Sequence, residues 1–238
     1  MLQPTKNKSF YCVGLSYQKA DATMRGMFSL TSEDKDSLLT QAKKEGFEEL
    51  LLIATCNRTE LYGYAEHPFQ LIHLLCEYSK GSVDDFQKVG YVIKSKEAVQ
   101  HLFQVGTGLD SQILGDFEII GQMKQAFALS RGKGLANAFL ERLMNSVINA
   151  SKRIKNETAL SSGAASVSFT AVQYIMQNVP DVSQKSILLF GVGKIGRNTC
   201  ENLIKHTQNK HITLINRTRE KAEQVAGKFN VIVKDFAD

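Results

Sequence analysis

The stretch Ser186–Gly196, Ser-Ile-Leu-Leu-Phe-Gly-Val-Gly-Lys-Ile-Gly, decides the fold of the C-terminal third of the chain. Its apolar run predicts a buried strand over 186–190, and glycines at the spacing GxGxxG follow directly. In such a turn the first glycine permits a tight bend, the second lets the backbone approach a pyrophosphate, and the third lets helix and strand pack closely. We therefore predict a dinucleotide-binding turn, and a turn that needs its glycines only for packing is the alternative. The candidate cofactor-binding residues here are Gly191, Val192, Gly193, Lys194, Ile195 and Gly196.

The residues after the next apolar strand, 211–215, indicate which dinucleotide would bind. A protein that binds NAD commonly has an acidic residue there, which holds the ribose 2′-hydroxyl. This chain instead has Asn216, Arg217 and Thr218, with Arg219 close behind. A guanidinium and hydroxyl donors suit a 2′-phosphate, so these residues favour NADPH over NADH. A solvated loop charge is the alternative for Arg217.

The order of elements around the turn predicts a Rossmann-type α/β domain over residues 161–238. Helices over 167–179, from the end of the glycine-rich turn to about 206, and over 219–228 alternate with strands over 186–190, 211–215 and 231–233. Small polar residues at 161–166 mark the boundary before this domain. Three strands make up half of a doubly wound sheet, so we expect the domain to be truncated.

Residues 1–160 predict an α+β domain that ends in a long helix. Its strands and helices follow the order βαββαβ, which predicts a small mixed sheet of ferredoxin-like type with helices on one face. The predicted strands span 10–15, 49–54, 60–65 and 91–93, and the predicted helices span 32–45, 69–78, 95–105, 118–129 and 135–156.

The composition is that of a globular protein in the cytoplasm. The 238 residues are 43% hydrophobic and 22% charged, and the net charge is +5. No apolar run approaches the roughly 20 residues that span a bilayer, and the polar start is not a secretory signal. The four cysteines form no CxxC pair and the five histidines no HExxH motif, so we expect no metal site.

The run Thr55-Cys56-Asn57-Arg58-Thr59-Glu60 carries the strongest chemical signal. It places a thiol directly after the apolar residues 50–54 and beside a guanidinium. The thiolate is the nucleophilic form of cysteine, and a nearby positive charge favours it. Arg58 could also clamp a carboxylate of an acidic substrate with its planar fork. The alternative is a buried cysteine at a strand end with an arginine on the surface, since free cysteine is usually buried.

A second polar segment, 108–124, lies between the two predicted domains. Ser111, Asp116, Glu118 and Gln122 stand there among apolar residues, with glycines that permit turns. These side chains could line a polar cleft. The alternative is a loop followed by a helix that Asp116 caps.

Together these segments resemble glutamyl-tRNA reductases. The similarity extends over essentially the whole chain and is carried by 13–15, 55–60, 101–103, 108–124, 166–168, 191–196 and 216–218. The resemblance implies an NADPH-dependent oxidoreductase that reduces glutamyl-tRNA(Glu) to glutamate-1-semialdehyde through a cysteine thioester. That reaction is the first step of 5-aminolevulinate and tetrapyrrole biosynthesis.

The resemblance also implies roles for individual residues. Cys56 would be the nucleophile, and His101 would be important for activity as an acid, a base or an orienting group. The implied substrate-binding residues are Thr55, Asn57, Arg58, Ser111, Asp116, Phe117, Glu118 and Gln122. Partners implied by the family are the tRNA, glutamate-1-semialdehyde aminotransferase and a second copy of the chain, although the family's dimerisation region is not among these residues.

The chain departs from the family pattern at two places. Ser16-Tyr17-Gln18 stands where Asn-His-Lys is usual, and Asp116 and Glu118 stand where Glu and Gln are usual. Two other functions are therefore kept open. One is an NADPH-dependent reductase of a different acyl substrate, and the other is a non-catalytic protein that binds tRNA or a partner with a relict site.

Overall fold

The computed structural model describes residues 8–158, 160 and 167–235. The chain forms two compact units, Met1–Ser161 and Ser162–Asp238. The predicted boundary segment, 161–166, lies outside the described residues. Within the described part of the chain, no helix has the length and apolar character needed to cross a membrane.

Unit 1 is built on a four-stranded sheet. Its strands are β1 (Ser9–Ser16), β2 (Leu50–Ala54), β3 (Arg58–Ala65) and β4 (Tyr91–Lys94). The spatial order is β2-β3-β1-β4, which is the ferredoxin-like order, and every pairing is antiparallel. The predicted fold class is confirmed, but the sheet is antiparallel rather than mixed. The reason is that strands of the same direction are never neighbours: β3 separates β1 from β2, and β1 separates β3 from β4.

Helices cover both faces of this sheet, so the expectation of helices on one face was wrong. The helices are α1 (Ala22–Met27), α2 (Ser32–Lys44), α3 (Phe69–Glu77), α4 (Val83–Val89), α5 (Ser95–Gly106), α6 (Glu118–Gly132) and α7 (Ala138–Glu157). Residues of α2, α3 and α4 pack with Leu52 and Leu61 in one core. Residues of α5, α6 and α7 pack with Ile53 and Tyr62 in a second core. Alternate residues of β1, β2 and β3 therefore enter different cores.

Unit 2 is a three-stranded parallel sheet with helices. Its elements are α8 (Val167–Asn178), a 3₁₀ turn (Val182–Gln184), β5 (Ile187–Phe190), α9 (Lys194–Thr207), β6 (Ile212–Ile215), α10 (Arg219–Phe229) and β7 (Ile232–Lys234). The order β5-β6-β7 and the parallel pairings are those of half a Rossmann-type sheet.

The helices that the sequence did not predict are the shortest ones. Helices α1 and α4 have six and seven residues, and the 3₁₀ turn has three. A segment of two turns or less presents too few residues for a helical period to show.

Candidate functional site

A short loop, Thr55–Asn57, joins β2 to β3 and presents the thiol. The backbone amide of Thr55 donates to the carbonyl of Arg58 at 2.8 Å. The Oγ1 atom of Thr55 accepts hydrogen bonds from the amides of Asn57 at 3.1 Å and of Arg58 at 3.2 Å. Thr55 therefore closes the loop with its own side chain, which fixes the position of Cys56.

Cys56 is exposed at the tip of this loop. Its carbonyl accepts a hydrogen bond from Nε of Arg25 at 3.1 Å, and the carbonyl of Asn57 accepts one from the amide of Tyr17 at 2.8 Å. Two other segments of unit 1 thus hold the backbone on both sides of the thiol. The alternative of a buried cysteine beside a surface arginine is wrong on both counts, because Arg58 is only 3% exposed.

The guanidinium of Arg58 lies between two carboxylates. Its Nη1 donates to Oε1 of Glu60 at 2.8 Å, and its Nη2 donates to Oδ2 of Asp110 at 3.0 Å. Nη2 also donates to the carbonyl of Asp110. The fork that was predicted to receive a substrate carboxylate is therefore occupied by protein oxygens.

Glu60 is the centre of a buried polar cluster. Its Oε1 accepts from Arg58, from Nε2 of His101 at 2.9 Å and from the hydroxyl of Tyr91. Its Oε2 accepts from the hydroxyl of Tyr62 at 2.8 Å. The ring of His101 stacks on Tyr62 with a centroid distance of 6.3 Å. His101 is thus oriented by a carboxylate through one ring nitrogen, and it is 13% exposed.

Arg58 and Glu60 each shift the pKa of the other so that both remain ionised. Burial alone would raise the pKa of Glu60, but the hydrogen bond from His101 and the charge of Arg58 outweigh it and lower that pKa to about 2. Burial alone would lower the pKa of Arg58, and the charge of Glu60 more than compensates, so that pKa is raised. Glu60 is therefore ionised at neutral pH, and it accepts a hydrogen bond from Nε2 of His101.

Cys12, Glu60 and His101 form the group of three metal-type ligand atoms found among the described residues, within 4.8 Å of one another. Both oxygens of Glu60 are already used by hydrogen-bond donors. A cation at this point would also lie beside the charged guanidinium of Arg58. Burial raises the pKa of the Cys12 thiol, which keeps it protonated and a poor ligand. The group therefore behaves as a hydrogen-bonded cluster.

The segment 107–117 connects α5 to α6 and brings Asp110 to Arg58. Gly108 and Gly115 have positive φ angles of 75° and 79°, and the amide of Gly115 donates to the carbonyl of Gly108 at 2.9 Å. Ser111, which directly follows Asp110, is half-buried. This glycine-closed segment is called the connecting loop below.

The other predicted binding residues lie at the start of α6. Oδ1 of Asp116 accepts the amide of Glu118, the first residue of α6, at 2.9 Å, although the N-cap position itself is occupied by Phe117. Phe117 is half-buried, and Nζ of Lys155 lies 5.9 Å from its ring centroid. Glu118 is exposed. Asp116 and Phe117 end the connecting loop and Glu118 begins α6, and none of the three has a described contact with Cys56.

A cavity of about 390 Å³ lies beside β2 and includes Thr55 and Gln122 in its wall. Helix α2 contributes Lys35, and Lys133, the residue that directly follows α6, lies in the same wall. Nζ of Lys35 donates to the carbonyl of Ala54 at 3.3 Å. Two predicted substrate-binding residues from separate parts of the sequence therefore share one cavity, which reaches the residue before Cys56.

The glycine-rich turn of unit 2 has the geometry that its motif predicts. Gly191 has a φ of 91°, and a Cβ added to Gly196 would lie 1.9 Å from the carbonyl oxygen of Gly191. A Cβ added to Gly193 would meet no atom within 4 Å. Gly191, Gly193, Lys194, Ile195 and Gly196 line a cavity of about 600 Å³. The residues present therefore fit a bound pyrophosphate, because the backbone is open at Gly193 and helix α9 begins there.

The residues after β6 differ in whether protein groups already pair with their side chains. Oδ1 of Asn216 accepts the amide of Val192 at 3.2 Å, and its Nδ2 donates to the carbonyl of Thr218 at 2.7 Å. Arg219 forms ion pairs with Glu223 at 2.8 Å and with Asp235. Arg217 is exposed. Arg219 is exposed as well, so the two arginines differ in pairing: among the described residues, Arg217 is in no ion pair and Arg219 is in two.

Sequence reasoning missed the roles of Glu60, Tyr62, Tyr91 and Asp110. A signal for the first two was present, because Arg58, Glu60 and Tyr62 alternate along β3 and so share one face of the sheet. Nothing in the sequence placed Asp110 on Arg58, since the two are 52 residues apart and meet through a loop.

Fold and site together define a class: a ferredoxin-like unit that presents a thiol, followed by a nucleotide-binding unit of the dehydrogenase type. The family described as "Shikimate / quinate 5-dehydrogenase" matches residues 173–238, which implies a nicotinamide cofactor. The family described as "Glutamyl-tRNAGlu reductase, N-terminal domain" matches residues 13–158, more than half of the chain. The chain belongs to the glutamyl-tRNA reductase family, as its resemblance indicated.

Individual relatives agree with this assignment. The chain is 67% identical over 234 residues to the glutamyl-tRNA reductase of Christiangramia forsetii and 66% identical over 233 residues to that of Flavobacterium psychrophilum. These alignments cover 98% of this chain and 56% of each relative. The solved structure of glutamyl-tRNA reductase from Methanopyrus kandleri matches with a TM-score of 0.64 and 25% identity, over 96% of this chain and 54% of that one. The chain thus spans about half the length of the relatives it matches.

Proposed function

We propose that this chain reduces glutamyl-tRNA(Glu) to glutamate-1-semialdehyde through a thioester on Cys56, the first step of 5-aminolevulinate and tetrapyrrole synthesis. The observation that carries the proposal is the exposed thiol of Cys56 in a loop two residues before a buried, doubly paired arginine. Family membership supports the identity of the substrate.

The proposed acyl transfer needs one nucleophile and one leaving group. The Sγ atom of Cys56 attacks the carbonyl carbon of the glutamyl ester, and a carbon–sulfur bond forms. The carbon–oxygen ester bond then breaks, and the terminal ribose hydroxyl of the tRNA leaves with one proton. A fixed loop favours this step because a positioned nucleophile avoids the entropic cost of finding the carbonyl.

Around that step, other residues of unit 1 would bind and orient the acyl group. Arg58 would pair with the substrate's side-chain carboxylate, and Thr55, Asn57, Ser111 and Gln122 would contact the rest of the glutamyl group. Asp116, Phe117 and Glu118 would shape the entrance from the start of α6. The bond from Glu60 to Nε2 of His101 supports an orienting role for that histidine, with Nδ1 as the atom left for a reacting group.

For the cofactor we propose NADPH. The backbone at Gly191–Gly196 would hold the pyrophosphate, and Asn216, Arg217 and Thr218 would surround the adenosine ribose and its 2′-phosphate. When bound, the nicotinamide supplies the hydride that converts an acyl group into an aldehyde. The proposed partners are the tRNA and the aminotransferase that accepts glutamate-1-semialdehyde, because a reactive aldehyde benefits from direct transfer.

Mass spectrometry of the intact 238-residue chain tests the thioester. After mixing with glutamyl-tRNA, we expect a glutamyl adduct that NADPH removes. Cys56→Ala should form no adduct, whereas Cys76→Ser, which changes a half-buried cysteine elsewhere in unit 1, should form it normally. An adduct that persists in Cys56→Ala would remove Cys56 as the nucleophile. A wild-type chain without any adduct would contradict the proposed function.

A further inference from the structure

Asp110 already binds the guanidinium of Arg58, which the proposed function assigns to the side-chain carboxylate of the substrate. Nη2 of Arg58 is held by Oδ2 of Asp110 at 3.0 Å and by the carbonyl of the same residue. Nη1 is held by Glu60 at 2.8 Å. Because Arg58 is only 3% exposed, a new carboxylate must replace one of these partners to bind its terminal nitrogens.

The two partners of Arg58 differ in how firmly they are held. Glu60 is 0% exposed and accepts from three further donors, and it belongs to a strand paired on both sides. Asp110 is 15% exposed and belongs to the connecting loop. The amide of Asp110 donates to the carbonyl of Gln104 at 3.1 Å at the end of α5. Asp110 is therefore the partner that a ligand from solvent can reach and displace.

From this geometry we infer that Asp110 is a place-holder for the side-chain carboxylate of the acyl substrate. It satisfies Arg58 in the ligand-free chain and leaves when an acidic side chain takes its position. The inference rests on the proposed function, because it explains how that same site selects its substrate. The chemical match is direct, since both groups are carboxylates that accept charge-assisted hydrogen bonds from one guanidinium.

Competition of this kind sets a threshold for binding. A ligand with a carboxylate restores to Arg58 the charge-assisted hydrogen bonds that are lost when Asp110 leaves. A neutral amide side chain cannot, because a buried guanidinium that exchanges Asp110 for an amide keeps only Glu60 of its two charge partners. The cost of displacing Asp110 is common to both kinds of ligand, so it weakens both equally, and the preference for the acidic ligand comes from Arg58 itself.

Gln18 supports Asp110 without adding charge. Its Nε2 donates to the other carboxylate oxygen, Oδ1, from the connection between β1 and α1. Arg58 is the cationic partner in the described ion pairs of Asp110. Because the bond from Gln18 is made while Asp110 is on Arg58, its loss should loosen Asp110 there and make the displacement easier.

The test compares ligands that resemble the substrate but cannot acylate the thiol. L-glutamic acid α-amide has the side-chain carboxylate, and L-glutamine α-amide has a neutral side chain. Binding is read from protection of the Cys56 thiol against iodoacetamide in the full chain. We expect Asp110→Asn to bind both ligands more tightly, by about tenfold, which is the order expected when a competing charge-assisted hydrogen bond is lost. The preference for the acidic ligand should persist, because Arg58 is unchanged.

Two further variants complete the test. Gln18→Ala, which removes the bond to Oδ1 of Asp110, should also tighten the acidic ligand, by less than Asp110→Asn. The control Asp84→Asn removes a charge from an exposed position on α4 and should change nothing. In the wild type, the acidic ligand should speed amide hydrogen exchange across residues 109–110, whose amides bond to Gln104, and the neutral ligand should not.

Weaker or unchanged binding of the acidic ligand by Asp110→Asn would overturn the inference and leave Asp110 a purely structural residue. If Asp110→Asn fails to fold, the Gln18→Ala result decides, and unchanged or weaker binding there would count against the place-holder. The adduct experiment separates this outcome from the proposed function. A wild-type chain that forms the glutamyl adduct while these variants bind as the wild type does would refute the place-holder alone.

Discussion

At the scale of single residues, the site depends on how Glu60 is satisfied. A fully buried carboxylate is costly unless donors surround it, and Glu60 has four: Arg58, Tyr62, Tyr91 and His101. These donors come from β3, β4 and α5, so one side chain ties three elements together. The orientation of Arg58 toward the connecting loop follows from this anchor.

The charge of Glu60 predicts a pH-dependent contribution to stability. Its pKa is lowered from 4.5 to about 2, so its contribution is present above pH 4.5 and is lost as the pH falls toward 2. A difference of about 2.5 pKa units corresponds to about 3 kcal/mol. We therefore expect the difference in unfolding free energy between the wild type and Glu60→Gln to decrease by about 3 kcal/mol between pH 6 and pH 2.

Urea unfolding followed by tyrosine fluorescence measures this difference. Six of the seven tyrosines lie in unit 1, so the signal reports mainly on that unit. Glu97→Gln, at an exposed position on α5, serves as the control and should show no such trend. A difference for Glu60→Gln that stays constant with pH would mean that Glu60 is not preferentially ionised in the folded state.

Arg217 and Arg219 allow a second prediction at this scale. Arg217 is exposed, whereas Arg219 is paired with Glu223 and Asp235. We expect Arg217→Ala to weaken NADPH binding roughly 10- to 100-fold, the range for losing a hydrogen bond to a charged group, with little effect on NADH. Arg219→Ala is the matched control. Fluorescence titration measures both cofactors, and an equal loss for NADPH and NADH in Arg217→Ala would refute the 2′-phosphate role.

At the scale of elements, strand β3 shows how far sequence reasoning reaches. The alternation of residues predicted a strand, and the same period puts Arg58, Glu60 and Tyr62 on one face. The pairing of Gly14 with Glu60 was not predictable, although it matters, because a Cβ at Gly14 would lie 2.4 Å from the carbonyl oxygen of Thr59. Strand pairing joins residues 46 positions apart, and a local pattern holds no information on that partner.

The connecting loop shows the same limit of sequence-based prediction. Its glycines predicted turns, and Gly108 and Gly115 do adopt positive φ angles. The sequence could not say that the loop would return Asp110 to Arg58, because such a contact depends on how α5 and β3 pack. The predicted residues Ser111 and Gln122 were chosen by resemblance and polarity, and only Gln122 shares a described cavity with Thr55.

The glycine-rich turn between β5 and α9 gives a prediction that separates packing from ligand binding. Gly196→Ala must push α9 away from the turn, because its Cβ would lie 1.9 Å from the carbonyl oxygen of Gly191. Overpacking of this kind costs roughly 2 kcal/mol, which lowers the melting temperature of a unit this size by about 10 °C. Gly193→Ala should leave the melting temperature unchanged, since the added methyl has open space.

NADPH binding should be lost in both variants for different reasons. In Gly193→Ala the fold is intact and the methyl blocks the approach of the pyrophosphate to the backbone. Circular dichroism of the folded state and a cofactor titration distinguish the two cases. Normal NADPH binding by a folded Gly193→Ala chain would show that the glycines of this turn serve packing only.

At the scale of the whole molecule, each unit has hydrophobic cores of its own. The cores of unit 1 are drawn from β1–β4 and α1–α7, and the core of unit 2 is drawn from β5–β7 and α8–α10. The two chemical tasks are divided in the same way, because the thiol and the buried charge cluster lie in unit 1 and the glycine-rich turn lies in unit 2. Damage to one core should therefore spare the chemistry of the other unit.

Leu214→Ala tests that separation. Leu214 is completely buried in the core of unit 2, and its truncation should cost about 2–5 kcal/mol. We expect NADPH binding to weaken or vanish, while the tyrosine fluorescence of unit 1 and the rate of Cys56 alkylation by iodoacetamide stay at wild-type values. Leu52→Ala, which truncates a buried residue of unit 1, is the reciprocal variant and should disturb Cys56 while sparing the cofactor. If either substitution abolished NADPH binding and also changed the alkylation of Cys56, the two units would have to unfold in one cooperative transition. The two units would then carry separate chemistry without being independently stable.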